Sequence, residues 1–217
     1  ELFNMGVTNS NKTASLTQIN CDGTFDVTLA LTATPDITTN PTDIVLVLDR
    51  SGSMEGSALA NLKLGAKKFI QIIDQATDGS GDGQIGSGSR IGIVSFAGTA
   101  SQDTALITSV AALDAAVDNL SAGGLTNHAD AFSVATSLLG TPSSNAKVMV
   151  MFTDGNTTAG GNPNPVAAAA RAQGIGIYVI GLIGSDGIDI SALNNWATDP
   201  DTSHVAVTPD EADLETL

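Results

Sequence analysis

Cysteine is almost absent from this chain of 217 residues: Cys21 stands alone. No internal disulfide can form, which excludes a disulfide-stapled secreted module while leaving cytosol and a cysteine-avoiding bacterial surface both open. Basic residues are scarce too, with 8 Lys and Arg against 23 Asp and Glu, a formal net charge of -15 and a pI near 4.1. A phosphate backbone or an anionic membrane would be repelled by such a surface, so neither is expected as a partner. No apolar run approaches the roughly 20 residues that span a bilayer. The start at Glu1-Leu2 has no charged segment followed by an apolar one, the expectation being a signal already removed or a fragment of a longer protein. Two catalytic signatures are missing: G-x-x-x-x-G-K-[ST], which cradles phosphates, and the G-x-S-x-G nucleophile elbow. What remains is 42% hydrophobic and only 14% charged, a folded composition with length for one domain and an appendage.

Residues 1–42 are rich in Thr and Asn and carry one strand signal, Thr24 to Thr32. There Phe25, Val27, Leu29 and Leu31 alternate with Asp26, Thr28, Ala30 and Thr32, as in a half-exposed strand. From Asp43 the grammar changes to near-continuous apolar runs at 44–48, 91–97, 147–152 and 176–182, which read as strands buried on both faces of a parallel sheet. Between the first two, Leu59, Leu62, Ala66, Phe69, Ile73 and Ala76 recur by threes and fours, opposite Lys63, Lys67, Lys68, Gln71 and Gln75. That spacing predicts an amphipathic helix. Val110, Leu113, Val117 and Leu120 repeat it. Further helices are expected after Thr126 through Leu139, from Pro165 to Gln173 and from Ser191 to Trp196. A capping box at Thr208-Pro-Asp-Glu211 starts a last helix that Leu217 cuts short. The fold class is therefore α/β: a doubly wound, mostly parallel sheet with helices on both faces and an N-terminal β extension. Its ligands should bind at the carboxyl ends of the strands.

At one such end, strand 44–48 runs into Asp49-Arg-Ser51-Gly-Ser53-Met54. If the chain stays extended through this run, period-two alternation turns the Asp49, Ser51 and Ser53 oxygens the same way. Hard oxygens of this kind suit Mg2+, Mn2+ or Ca2+ and argue against zinc. Two more loops supply oxygens: Gly123-Gly124-Leu125-Thr126 before a helix, and Thr153-Asp154-Gly155 after strand 147–152.

In that order and on those elements, the three motifs resemble the metal-ion-dependent adhesion site of von Willebrand factor type A domains. The resemblance covers about residues 43–217, with 1–42 as a β extension or part of an adjoining domain. It implies that Ser51, Ser53 and Thr126 ligate the ion directly, while Asp49 and Asp154 act mainly through water or by hydrogen bonds to the hydroxyls. Neutral ligands leave most of the dication's charge uncompensated, so an Asp or Glu of a protein partner would complete the coordination. Read one residue at a time, Ser51 and Thr126 are equally caps and Asp154 a turn residue. Arg50 and Met54 fill variable positions expected at the solvent or the rim. His128 is expected as a bystander, and Asp130 as a structural acid at a helix start.

A second, weaker metal signal lies at Asp78, Ser80, Asp82 and Gln84. Their loop follows the EF-hand template for Ca2+ but has Ser89 where the template has a bidentate Glu. The competing reading is a Gly/Ser/Asp linker. Asp186, Asp189, Asp199 and Asp201 are given no role.

Three function classes follow. The first is a non-enzymatic adhesion module of a bacterial surface or pilus protein, gripping an acidic side chain of a host, matrix or neighbouring protein. It is supported by the resemblance of Lys12 to Met54 to the preface of surface-anchored Gram-positive A domains, in which a preface lysine can form an isopeptide bond. The second is an intracellular A domain docking onto an ATPase or chelatase complex. The third, a metal-dependent hydrolase, needs a general base beside the ion, and no residue has a claim to that role.

Overall fold

A computed structural model of the chain describes residues 7–14, 27–33, 40–182 and 187–207. It divides into two compact units, Glu1–Asp36 and Ile37–Leu217. In the first, β1 (Val7–Ala14) pairs antiparallel with β2 (Val27–Ala33), Lys12 standing opposite Leu29. The stretch VTNSNKTA carries no apolar alternation, which is why β1 gives no strand signal in the sequence. The expected strand start at Thr24 and the last helix from Thr208 lie outside the described residues.

The second unit is a six-stranded sheet in the order β5-β4-β3-β6-β7-β8. Its members are β3 (Thr42–Asp49), β4 (Arg90–Phe96), β5 (Ala100–Gln102), β6 (Ala146–Thr153), β7 (Ile175–Gly181) and β8 (Val205–Val207). All pairs are parallel except β4 with β5. The chain steps from β3 to β4 on one side and later returns to the other side with β6. Between β3 and β6 the winding reverses, and the crevice at such a switch point is where doubly wound sheets bind ligands.

Both faces of β3 are covered, so all eight of its residues are buried. Ile44, Leu46 and Leu48 meet α1 (Ser57–Asp78) and α2 (Val110–Asp118) through Leu62, Ala66, Ile70, Leu113 and Val117. Val45 and Val47 face the opposite layer: α3 (His128–Leu139), α4 (Pro163–Ala172) and α5 (Ile190–Trp196), with Phe132, Ala135, Ala167 and Trp196. Each fully buried large aliphatic or aromatic side chain contributes about 1.5–3 kcal/mol, so these two layers supply the bulk of the stabilisation. β7 differs from its continuous apolar look. Ile175, Ile177, Val179 and Gly181 are buried, while Gly176, Tyr178 and Ile180 are half-covered; among the described residues the short β8 and the four-residue helix α6 (Asp201–His204) lie beyond it.

At the amino end of β3, Asp43 is fully buried under a fork from Arg90 (2.9 and 2.8 Å) and hydrogen bonds from Ser143 (2.5 Å) and Asn145 (2.9 Å). Burial raises its carboxyl, but these bonds and the Arg90 charge outweigh burial and hold it below the usual carboxylate range. This clamp fixes the strand whose other end carries the site.

Candidate metal centre

Register and period together assemble the site. β3 and β6 pair Leu48 with Phe152, so the next residues, Asp49 and Thr153, fall side by side. Both share the parity of the α3-facing residues, and both are fully buried. Thr153 Oγ1 donates to Asp49 Oδ2 at 2.7 Å across 104 residues of sequence. The other carboxylate oxygen, Oδ1, accepts from the Ser51 amide (2.9 Å) and the Ser51 hydroxyl (2.6 Å). Ser53 Oγ lies 3.2 Å from Ser51 Oγ. With the Ser51 proton spent on Asp49, the Ser53 hydroxyl is the donor to Ser51, and one lone pair of Ser51 is left for a further group. Desolvation is the main reason the Asp49 carboxyl is pushed up, to about 6. The nearby Asp154 charge adds to the rise, and the Ser51 and Thr153 hydrogen bonds oppose it.

Thr126 is held from two sides. Its loop exchanges backbone bonds with the Asp49 loop, Gly123 N–H to Arg50 O (2.9 Å) and Gly52 N–H to Gly124 O (3.0 Å). Gly124, at φ 87°, is where that approach requires glycine. The Thr126 amide donates to Thr158 Oγ1 (2.8 Å), while its carbonyl accepts from the Thr158 and Ala159 amides (3.0 Å each). Thr126 is not a helix cap. The cap of α3 is Asn127, whose Oδ1 accepts from Asp130 N–H at 3.1 Å, so the helix begins at His128, where the loop was expected to end. Asp130 in turn accepts from Ala100 N–H (2.7 Å), a structural tie between α3 and β5.

Asp154 is fully buried at the end of β6. Its Oδ1 accepts from Asn156 N–H (3.0 Å), but its Oδ2 is buried with no partner. A buried carboxylate oxygen left unpaired costs about 1–3 kcal/mol or more, so a water or a cation belongs beside it. Gly155, at φ 83°, turns the chain there; a Cβ would meet Leu193 at 3.0 Å and the Asp189 carbonyl at 3.1 Å.

Two neighbours depart from expectation. Met54 is not at the rim. It is fully buried and packs into the α1 layer, because the single 3-10 turn Gly52–Met54 rolls it under the loop. Arg50 is half-buried, its Nε donating to Ser95 Oγ at 3.2 Å. His128 lies inside the fold. It is fully buried between the rings of Phe96 (5.1 Å) and Trp196 (4.5 Å), with Nε2 2.7 Å from Thr153 Oγ1 and Nδ1 2.8 Å from Thr157 Oγ1. Burial pushes its imidazole down to about 3, so the ring is neutral.

In the second loop one oxygen of each carboxylate is engaged by the loop itself. Asp78 Oδ1 accepts from the Ser80 amide and hydroxyl (2.9 Å each), Asp82 Oδ1 from Gln84 N–H (3.0 Å), and Gln84 Oε1 from Thr108 Oγ1 (3.1 Å). Among the described residues no three His, Cys, Asp or Glu side chains form a metal-holding cluster. At the β3/β6 end the donor set is different in kind: two buried carboxylates and three hydroxyls. Such a set fits a hard dication that keeps part of its charge for a further ligand.

Comparison with known proteins adds independent findings. The family profile of the von Willebrand factor type A domain matches residues 43–217. Human matrilin-1 is 28% identical over 179 residues, which cover 77% of this chain and 33% of that protein. The chain thus spans about a third of the length of the curated relatives it matches. Among solved structures, proximal thread matrix protein 1 from the mussel byssus, with a zinc-occupied MIDAS motif, superposes at TM-score 0.68 with 22% identity, covering 82% of this chain and 46% of that one. The open form of the pilus adhesin SpaC from Lactobacillus rhamnosus GG gives TM-score 0.67 and 17% identity over 95% of this chain and 32% of that one.

Proposed function

This chain belongs to the von Willebrand factor type A domain family, and from that premise we propose that it is a metal-dependent protein-binding module of a bacterial surface or pilus protein. In this reading Ser51, Ser53 and Thr126 ligate one Mg2+, with Mn2+ or Ca2+ as substitutes. Asp49 and Asp154 hold the ion by hydrogen bonds and through water. The observation that carries the reading is the Asp154 Oδ2 atom, buried without a partner at the switch point where the polarised Ser51 hydroxyl also ends. When bound, the cation supplies an electrostatic anchor for an Asp or Glu carboxylate of the partner.

Adhesion-type relatives, the pilus adhesin and the matrilins, support a binding role. The bacterial and extracellular placement rests on the Thr/Asn-rich preface that precedes the Asp49 motif, although the matched matrilins are animal proteins. A catalytic role is disfavoured by the position of His128. Sealed between two rings and engaged at both nitrogens, it has no free lone pair to offer a substrate as a general base.

Electron paramagnetic resonance of Mn2+ added to the protein tests this. One bound ion per chain is expected, lost in Ser51→Ala, with a change in the bound spectrum when a Glu-containing peptide is added. A bound spectrum indifferent to carboxylates would remove the proposed grip.

A further inference from the structure

Thr153 has one hydroxyl proton, and the Asp49 carboxylate 2.7 Å away can only accept it. Thr153 Oγ1 also receives the Gly155 amide at 3.1 Å. His128 Nε2, at 2.7 Å, therefore has to be a donor. In the neutral ring the proton sits on Nε2, Nδ1 is a lone pair, and the Thr157 hydroxyl donates to it at 2.8 Å. The protons run one way, from Thr157 to His128 to Thr153 to Asp49.

We infer that His128 is a positioning residue of the proposed metal centre: through its Nε2–H it fixes the Thr153 hydroxyl, which fixes the Asp49 carboxylate, which in turn orients the Ser51 hydroxyl toward the ion. The inference rests on the metal-binding reading above. Partners of this kind, one step removed from the metal, set the orientation and basicity of the ligands, and their loss costs about 10- to 100-fold in metal affinity. Phe96, Trp196 and the two threonines leave the ring no alternative orientation with equal bonding, because both nitrogens are already spent. The network also predicts its own rearrangement. In Asp49→Asn the amide would donate to Thr153, whose proton would then turn to His128 Nε2, moving the ring proton to Nδ1.

Two measurements test this. Long-range proton–nitrogen correlation spectra of the intact protein report the ring tautomer, and His204 is the one other histidine in the chain. Expected is a protonated Nε2 in the wild type and a protonated Nδ1 in Asp49→Asn; an Nδ1–H ring in the wild type overturns the relay. Mn2+ titration then compares His128→Phe, which keeps the ring stack, with His128→Gln, which restores a donor. Affinity about tenfold weaker in Phe and largely recovered in Gln is expected for a positioning residue. Wild-type affinity in His128→Phe overturns the positioning role alone. Absence of metal binding in the wild type removes the parent reading and the metal role together. If His128→Phe does not fold, the tautomer and its switch in Asp49→Asn still decide the relay.

Discussion

Asp49→Asn should make the metal-free domain more stable at neutral pH while abolishing its metal binding. In the unfolded chain an aspartate gives up its proton near 3.8; in the fold Asp49 keeps it to about 6. The folded state thus binds more protons over that interval, and stability falls as pH rises through it. Above pH 6 the whole cost is in place. The difference of about 2 pH units, at about 1.4 kcal/mol each, amounts to roughly 3 kcal/mol. Asparagine keeps an oxygen for the Ser51 amide and hydroxyl, and the Thr153–His128 pair can reverse its proton, so little is lost in exchange. Urea unfolding followed by fluorescence of Trp196, the single and fully buried tryptophan, reads the effect. In chelator at pH 7.5 the variant should exceed the wild type by up to about 3 kcal/mol, and below pH 4 the two should coincide. Saturating metal should reverse the order, since an ion at 1,000 times its Kd stabilises only the wild type, by about 4.1 kcal/mol. A variant less stable than the wild type in chelator at pH 7.5 would refute the claim that Asp49 is a buried charge awaiting a cation.

Metal affinity should fall as pH drops through about 6, being about tenfold lower at pH 5 than at pH 7, with uptake of the ion releasing a proton there; calorimetry in two buffers of different ionisation enthalpy measures both. Arg90→Met should cost about 3 kcal/mol of stability by leaving the Asp43 carboxylate buried without its cation, yet leave metal affinity unchanged, because the clamp sits at the opposite end of β3. Gly124→Ala should cost about 1–3 kcal/mol through its positive φ and weaken metal binding by loosening the Thr126 loop; denaturant melts and Mn2+ titration read the two effects separately.

Much of this fold is written in local pattern. The four apolar runs of the core sheet and the amphipathic rows of α1 and α2 are periodic over enough residues to be read directly, and they suffice to put Asp49 at a strand end. Where periodicity has no length to act, the sequence is mute. β5 and β8 have three residues each, α6 has four, and β1 is all but devoid of apolar side chains. Asn127, not Thr126, caps α3, because an asparagine that reaches the Asp130 amide looks in sequence like one more loop residue. The candidate oxygens at Asp49 and Ser51 follow from alternation, Ser53 is brought beside Ser51 by the 3-10 turn Gly52–Met54 that ends the extended run, and Thr126 and Asp154 are found by resemblance of ordered motifs. The hydrogen-bonding parts played by Thr153, Thr158 and His128 escape both approaches, although Thr153 stands in one of the quoted motifs. Their roles depend on the β3/β6 register and on contacts 25 to 104 residues apart, which no window along the chain contains. The one available signal, a histidine two positions after Thr126, has meaning only once Thr153 is known to stand beneath it.

The central claim is that the oxygens gathered at the β3/β6 switch point hold one divalent cation. Titration calorimetry of the wild-type chain and of Asp49→Ala with Mg2+ and Mn2+ tests it most directly. The account predicts one ion per wild-type chain and no binding in the variant; equal metal affinity in the two proteins would contradict it.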